Sequence, residues 1–65
     1  MFDKLLFQYE IRKRGLTVKD VARIIGIDVA TLYRKMNGES DFYRHEIQKM
    51  CVEIGFDDPM KIFFA

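Results

Sequence analysis

The segment GIDVATLYRKMNG, residues 26–38, has the spacing of one short helix whose outward side carries side chains suited to recognition: Val29, Ala30, Thr31, Tyr33 and Arg34. The Arg34 guanidinium can donate two parallel hydrogen bonds, a geometry that matches guanine O6 and N7. Thr31 can bond a base or a phosphate, Tyr33 has the reach of a phosphate, and Val29 and Ala30 can contact a thymine methyl group. The pattern indicates non-covalent contact with a nucleic acid.

Catalytic and metal-binding arrangements are missing from the sequence. There is no Ser/His/Asp, Cys/His, paired-carboxylate or phosphate-loop pattern, and a chain this short has little room for a substrate cleft. The single histidine, His45, has no nucleophile or set of ligands beside it, and Cys51 is interpreted as a small core residue. We therefore expect no enzymatic activity, no catalytic residue, no metal, no cofactor and no small-molecule ligand.

Composition indicates one small globular domain over residues 1–65. Apolar residues make up 49% of the chain and charged residues 32%, which argues against disorder. The longest apolar runs, such as IFF, are too short to span a bilayer, and the first ten residues lack a signal-peptide pattern. These features predict a cytoplasmic protein without a membrane partner.

Charge is distributed unevenly along the chain, although the net charge is only +1. Residues 12–35 hold seven cations against two acids, a net charge of +5, and the remaining residues hold four cations against eight acids, a net charge of −4. A basic central segment is what a phosphate-facing surface requires. The alternative for any one of these residues is a solvated surface charge.

Helical spacing runs through the whole sequence, and no segment alternates long enough to predict a strand. The first helix begins after the N-cap Asp3 and continues to about Arg14, and the second begins after Thr17, with Asp20 completing a near capping box. The other predicted helices cover residues 29–37 after Asp28, residues 43–54, and a short stretch from Pro59 through MKIFF. The predicted fold class is all-α, with five short helices in a compact domain.

The stretch TVKDVARIIGIDVATLYRKMNG has the form of two helices joined by a tight turn. Ala22 is small where the helices approach each other, and Gly26 lies at the turn. Ile25, Ile27 and Leu32 form an apolar wedge between the helices. This set predicts a helix-turn-helix at about residues 17–37, whose second helix stands out from the body of the domain.

The chain resembles the small phage-type helix-turn-helix regulators of the lambda Cro and repressor class (the XRE class). Within that class it is most similar to regulators of Gram-positive phages and mobile elements, through LTVKDVARIIGI, TLYRKMNGESDF, EIQKM and the closing IFF. The resemblance covers residues 5–64. It implies a lambda-repressor-like fold and sequence-specific binding of double-stranded DNA as a transcriptional regulator, either Cro-like or a small repressor.

If the helix at about 29–37 reads the major groove, Val29, Ala30, Thr31, Tyr33 and Arg34 are the predicted base contacts. The predicted phosphate contacts are side chains and exposed amides at the ends of the neighbouring helices: Thr17, Val18, Lys19, Asn37 and Arg44. One module covers few base pairs, so we expect a homodimer on an operator with two half-sites about 34–36 Å apart.

Several positions depart from the pattern of the class. Val18 stands where relatives often carry Gln, and Ile11 and Met36 stand where many carry a buried Arg–Glu pair. Lys35 lies where an aliphatic residue is usual, and we expect its stem to pack while its ammonium reaches outward. The apolar Val18, Val29 and Ala30 leave open a second function, in which the helix-turn-helix binds another protein, as an antirepressor does.

Some residues carry a structural interpretation beside the functional one. Arg34 can be a solvated surface arginine, and Tyr33 can pack over the flank of its helix. The cluster at 12–14 is interpreted as a helix end that favours cations. Four phenylalanines are predicted to be core aromatics: Phe42, Phe56, Phe63 and Phe64. The last two can instead form a dimer patch.

Overall fold

Five helices make up the computed structural model, which describes all residues from Met1 to Ala65. They are α1 (Lys4–Lys13), α2 (Val18–Ile25), α3 (Val29–Met36), α4 (Arg44–Glu53) and α5 (Pro59–Phe63). The all-α, five-helix prediction is confirmed, and the bounds agree with the predicted ones to within about two residues. None of the helices is both long enough and apolar enough to cross a membrane.

Local signals fix most of the helix ends. The Asp3 carboxylate accepts from the backbone N–H of Leu6 at 3.0 Å and caps α1. Thr17 and Asp20 form a reciprocal capping box at the start of α2, and Pro59 occupies the first position of α5 after the N-cap Asp58. The caps expected at Asp3, Thr17 and Asp58 are therefore present.

The apolar core draws residues from every helix: Phe7, Ile11, Val21, Ala22, Leu32, Met36, Met50, Phe56, Ile62 and Phe63. Helix α2 packs against α3 and α4, and α1 packs against α5. Phe2, Phe7, Phe42, Phe56 and Phe63 form an aromatic cluster with ring centroids 4.8–6.4 Å apart. Phe64 is the exception among the predicted core aromatics, because it is 59% exposed.

Ile11 and Met36, the apolar replacements for the ion pair of the class, are both buried in this core. A buried charge pair occurs elsewhere. The Lys35 ammonium lies 3.1 Å from Glu46 Oε1, and both side chains are 4% exposed. The expectation that the Lys35 ammonium reaches outward is thus wrong, because Glu46 at the start of α4 and the carbonyl of Asp41 bind it inside the domain.

A second polar cluster joins the end of α1 to the loop between α4 and α5. Arg14 donates to Glu10 Oε1 at 2.7 Å and to the carbonyl of Gly55 at 2.6 Å, and it also contacts Asp57 at 3.0 Å. Lys13 forms an ion pair with Asp57. Lys13 and Arg14, two of the three cations of the 12–14 cluster, therefore hold the fold together.

We expect Lys35→Met to lower the free energy of unfolding by about 3 kcal/mol, because the substitution leaves the Glu46 carboxylate buried without its partner. The double variant Lys35→Met/Glu46→Gln should recover about half of this loss, since the neutral amide can still accept from the backbone N–H of Tyr43. Urea unfolding followed by circular dichroism measures the free energy of unfolding of the single and the double variant. Equal stability of the single and double variants would contradict the argument.

The same polar cluster predicts acid sensitivity. Hydrogen bonding from Lys13 holds the pKa of Asp57 below its ordinary value. Burial alone would raise the pKa of Glu10, but hydrogen bonds from Arg14 and the Asp57 N–H bring it below its ordinary value. A lowered carboxyl pKa stabilises the fold above the unfolded-state value near 4, and this stability is lost as pH falls through the folded-state value.

Urea midpoints measured between pH 2 and pH 6 should therefore fall below about pH 4. Asp57→Asn should make this fall shallower, because it removes one carboxylate that must be protonated. Glu39→Gln is the matched control, since Glu39 is exposed and makes no ion pair. A pH profile that changes equally in both variants would show that the cluster at Asp57 is not responsible.

Candidate nucleic-acid interface

Helix α3 has one buried side and one free side. Leu32, Lys35 and Met36 point into the domain. The five predicted base-contact residues lie on the remaining surface, with Val29 37% and Tyr33 44% exposed, Ala30 and Arg34 exposed, and Thr31 half-buried. The structure therefore brings these five residues together on the free side of α3, which we call the outer face of α3.

The turn at residues 26–28 sets the direction of α3 relative to α2. Gly26 adopts a left-handed conformation with φ of +77°, which a residue with a Cβ enters only at a cost. The N–H groups of Gly26 and Ile27 both donate to the carbonyl of Ala22, at 2.9 and 3.0 Å. Ile25 and Ile27 pack half-buried against the core, and Leu32 is fully buried, as the predicted wedge requires.

The start of α3 has no side-chain cap. Asp28 occupies the N-cap position, but its carboxylate accepts no hydrogen bond from the helix, so the predicted cap is present only in position. The N–H groups of Val29, Ala30 and Thr31 have no partner in the domain. Three donors and the positive end of the helix dipole therefore remain free for an anionic or hydrogen-bond-accepting partner.

The predicted phosphate contacts at the start of α2 differ in whether their hydrogen-bond donors are free. The Thr17 hydroxyl accepts from Asp20 N–H at 3.1 Å and donates to Asp20 Oδ2, and the Thr17 N–H also donates to Asp20. These donors of Thr17 are therefore engaged within the cap. The N–H groups of Val18 and Lys19 are unpartnered, and the Lys19 side chain is exposed.

The remaining two predicted phosphate contacts lie at the loop after α3. Asn37 is exposed, and its Oδ1 accepts from Lys4 Nζ at 2.7 Å, which leaves the Asn37 NH2 group free to donate. Arg44 is exposed at the start of α4, and its side chain has no hydrogen bond or ion pair. Lys4 thus adds a cation beside Asn37 that sequence reasoning did not include.

Arg12 is a further candidate phosphate contact, which the sequence analysis interpreted only as part of a helix end that favours cations. It lines a shallow groove of about 250 Å³ together with Gln8, Thr17, Val18 and Tyr33, among other residues. Its neighbours Lys13 and Arg14 have Glu10 three and four positions before them, whereas the residue four positions before Arg12 is the uncharged Gln8. The lack of an acidic residue at this spacing is the sequence feature that could have identified Arg12 as an unpaired cation.

Pairing within the fold reduces the positive charge of the central segment. Four of the seven cations in residues 12–35 form ion pairs, namely Lys13, Arg14, Arg23 and Lys35. Arg12, Lys19 and Arg34 have no ion-pair partner. The sequence-based charge of +5 therefore overstates what this segment presents to a partner.

Comparison with protein families gives one match. Residues 8–57 match the model of the Cro/C1-type helix-turn-helix (HTH) DNA-binding domain. The matched region contains all of α2 and α3, the turn between them and the whole of α4. No curated protein sequence and no solved structure matches the chain.

Proposed function

Because the chain belongs to the family of Cro/C1-type helix-turn-helix DNA-binding domains, we propose that it is a sequence-specific transcriptional regulator that reads the major groove with α3. The observation that carries the proposal is the outer face of α3, where the exposed Arg34 guanidinium has no ion pair or hydrogen bond within the domain. DNA binding itself follows from the family. The choice of bases, the operator and the effect on transcription are parts of the proposal.

Arg34 is the proposed main base contact, donating two hydrogen bonds to guanine O6 and N7. Val29 and Ala30 would contact thymine methyl groups, Thr31 would bond a base or phosphate, and Tyr33 would reach a base or a phosphate. The DNA backbone would be held by free donors on both sides of α3, namely the N–H groups of Val18 and Lys19 and the side chains of Lys19, Asn37 and Arg44. Thr17, whose N–H and hydroxyl both donate to Asp20, would add no hydrogen bond to a phosphate. Arg12 joins this set through the groove that it shares with Tyr33.

The resemblance of the sequence to regulators of Gram-positive phages and mobile elements supports a role in controlling such an element. A Cro-like protein or small repressor of this kind acts by occupying an operator. We also infer that residues 1–65 act as one unit, since all five helices contribute to one core.

The proposal includes a dimer on DNA, because α3 spans only eight residues and covers few base pairs. The support for a dimer surface is Phe64, which is 59% exposed and borders an apolar depression with Phe42 and Ile47. Exposure of one large aromatic beside two half-buried apolar residues favours contact with a second copy.

A second candidate function, binding of another protein through the outer face of α3, is favoured by one observation. Val29 is apolar and 37% exposed, at a position where a charged or polar group would serve DNA better. If this function holds, Val29→Asp abolishes activity while Arg34→Ala has no effect on it.

Selection of bound duplexes from a randomised pool, followed by sequencing, tests the operator. We expect two half-sites of inverted symmetry about one helical turn, 34–36 Å, apart. Phe64→Ser should keep the half-site but lose the fixed spacing between two copies. A single half-site with wild-type protein would remove the dimer from the proposal, and no enrichment by folded protein would contradict specific binding.

Arg34→Ala and Lys19→Ala should affect binding in different ways. Arg34→Ala should cost about 1–3 kcal/mol on the selected site and relax preference at one base pair, because it removes base readout. Lys19→Ala should weaken binding to all sequences and reduce the slope of log K against log salt by about 1. Fluorescence anisotropy at several salt concentrations measures both.

Lys49→Ala on α4 is the matched control for loss of one exposed, unpaired cation outside the helix-turn-helix. It should leave base preference unchanged and alter the salt slope less than Lys19→Ala does. If Arg34→Ala changes affinity evenly across sequences, as a phosphate contact would, Arg34 does not read a base.

A further inference from the structure

Helix α1 is apolar on two opposite sides. Phe7 and Ile11 point into the core. Leu5 and Tyr9, four residues apart, point to the other side and remain 79% and 61% exposed. A helix that only covered its own core would carry polar residues at these two positions.

The exposed residues form one continuous surface, which we call the outer face of α1. It consists of Leu5, Gln8, Tyr9, Arg12 and Lys13, which together line a shallow depression of about 380 Å³. Beyond Leu5 the apolar surface continues to Met1, which is 93% exposed. Apolar residues spaced by three and four positions along a helix commonly form its contact with a second helix.

The one charge on this face that has no ion-pair partner is positive. Arg12 has no ion-pair partner, and Lys13 carries the second positive charge, with its ammonium 5.5 Å from the centre of the Tyr9 ring. The acid of α1, Glu10, is 5% exposed and points inward to Arg14. Asp57, at the edge of the face, is already held by Lys13 and Arg14.

We propose that the outer face of α1 is a docking site for an amphipathic helix of another protein, with apolar residues over Leu5 and Tyr9 and carboxylates beside Arg12. Symmetric contact with α1 of a second copy fits less well, since that helix would bring further cations and no free carboxylate. The helix is ten residues long, about 15 Å, so the contact is small and transient.

Docking there would also reach the proposed DNA-binding surface, and this consequence rests on the proposed function. Gln8 and Arg12 line both the outer face of α1 and the groove beside Thr17, Val18 and Tyr33. A carboxylate bound to Arg12 would withdraw that cation from DNA phosphates. The partner would therefore weaken DNA binding.

A titration with synthetic peptides tests the proposal. The probe is a helical peptide of about 18 residues with leucines spaced by three and four positions and flanking glutamates. The control peptide carries lysines in place of the glutamates. Two-dimensional NMR of isotope-labelled, full-length protein should show the glutamate peptide shifting backbone amide resonances between Leu5 and Arg12, and the lysine peptide leaving them unchanged.

Two variants separate apolar contact from charge. Leu5→Ser should weaken binding of the glutamate peptide about tenfold and leave DNA binding unchanged, because Leu5 lies outside the proposed DNA-binding surface. Arg12→Glu should reverse the preference, so that the lysine peptide binds and the glutamate peptide does not. Amide dispersion in each spectrum verifies that the variants are folded.

Several results would overturn the proposal. These are the absence of α1 shifts at about 1 mM glutamate peptide, equal binding of the two peptides, and unchanged preference in Arg12→Glu. Concentration-dependent broadening of α1 resonances without peptide would assign the face to a second copy instead. Loss of DNA binding in the duplex selection with intact peptide binding would refute the proposed function alone.

Discussion

The position of α3 depends on one buried ion pair, between Lys35 and Glu46. The Lys35 ammonium, on a side chain that is 4% exposed, lies 3.1 Å from Glu46, donates to the Asp41 carbonyl at 2.9 Å, and lies 4.0 Å from the centre of the Tyr43 ring. Glu46 in turn accepts from the backbone N–H of Tyr43 at 2.8 Å. The pair thus ties the last turn of α3 to the start of α4, and α4 packs on α2. Together with the turn at residues 26–28, this pair fixes the orientation of the outer face of α3, since Arg34 directly precedes Lys35.

A buried ion pair is a costly way to join two helices, since both charges lose their hydration. We infer that it provides a defined geometry, because the ammonium must meet both Glu46 and the Asp41 carbonyl, a constraint that an apolar residue at position 35 would not impose. Ile11 and Met36, both buried, contribute apolar packing without direction. The domain therefore combines an unspecific apolar core with two directional polar clusters, one at Lys35 and one at Arg14.

The sequence predicts those features whose causes are local. Helix ends follow from residues within four positions, such as Asp3 before Leu6, the Thr17 and Asp20 box, and Pro59 after Asp58. The outer face of α3 follows from helical spacing once Leu32 is placed in the core. The inward turn of Lys35 could not be predicted, because its partner Glu46 lies across a loop on another helix. The pairing of Lys13 and Arg14 with Asp57 could not be predicted either, because Asp57 is also distant in the sequence. For that reason the sequence overestimates the positive charge that the central segment presents.

The cations of this chain fall into two groups with different tasks. Five of the eleven are held by carboxylates, namely Lys13, Arg14, Arg23, Lys35 and Lys61, whereas six have no ion-pair partner: Lys4, Arg12, Lys19, Arg34, Arg44 and Lys49. Affinity for any DNA sequence grows with the number of phosphates that free cations neutralise, so a domain with a net charge of only +1 gains little from phosphate contacts alone. In the proposed mode of binding, base contacts on α3 must then carry a larger share of the binding free energy. We propose that such a regulator discriminates between sites at the expense of total affinity, and that the second copy of the proposed dimer restores affinity through its own contacts with the same DNA.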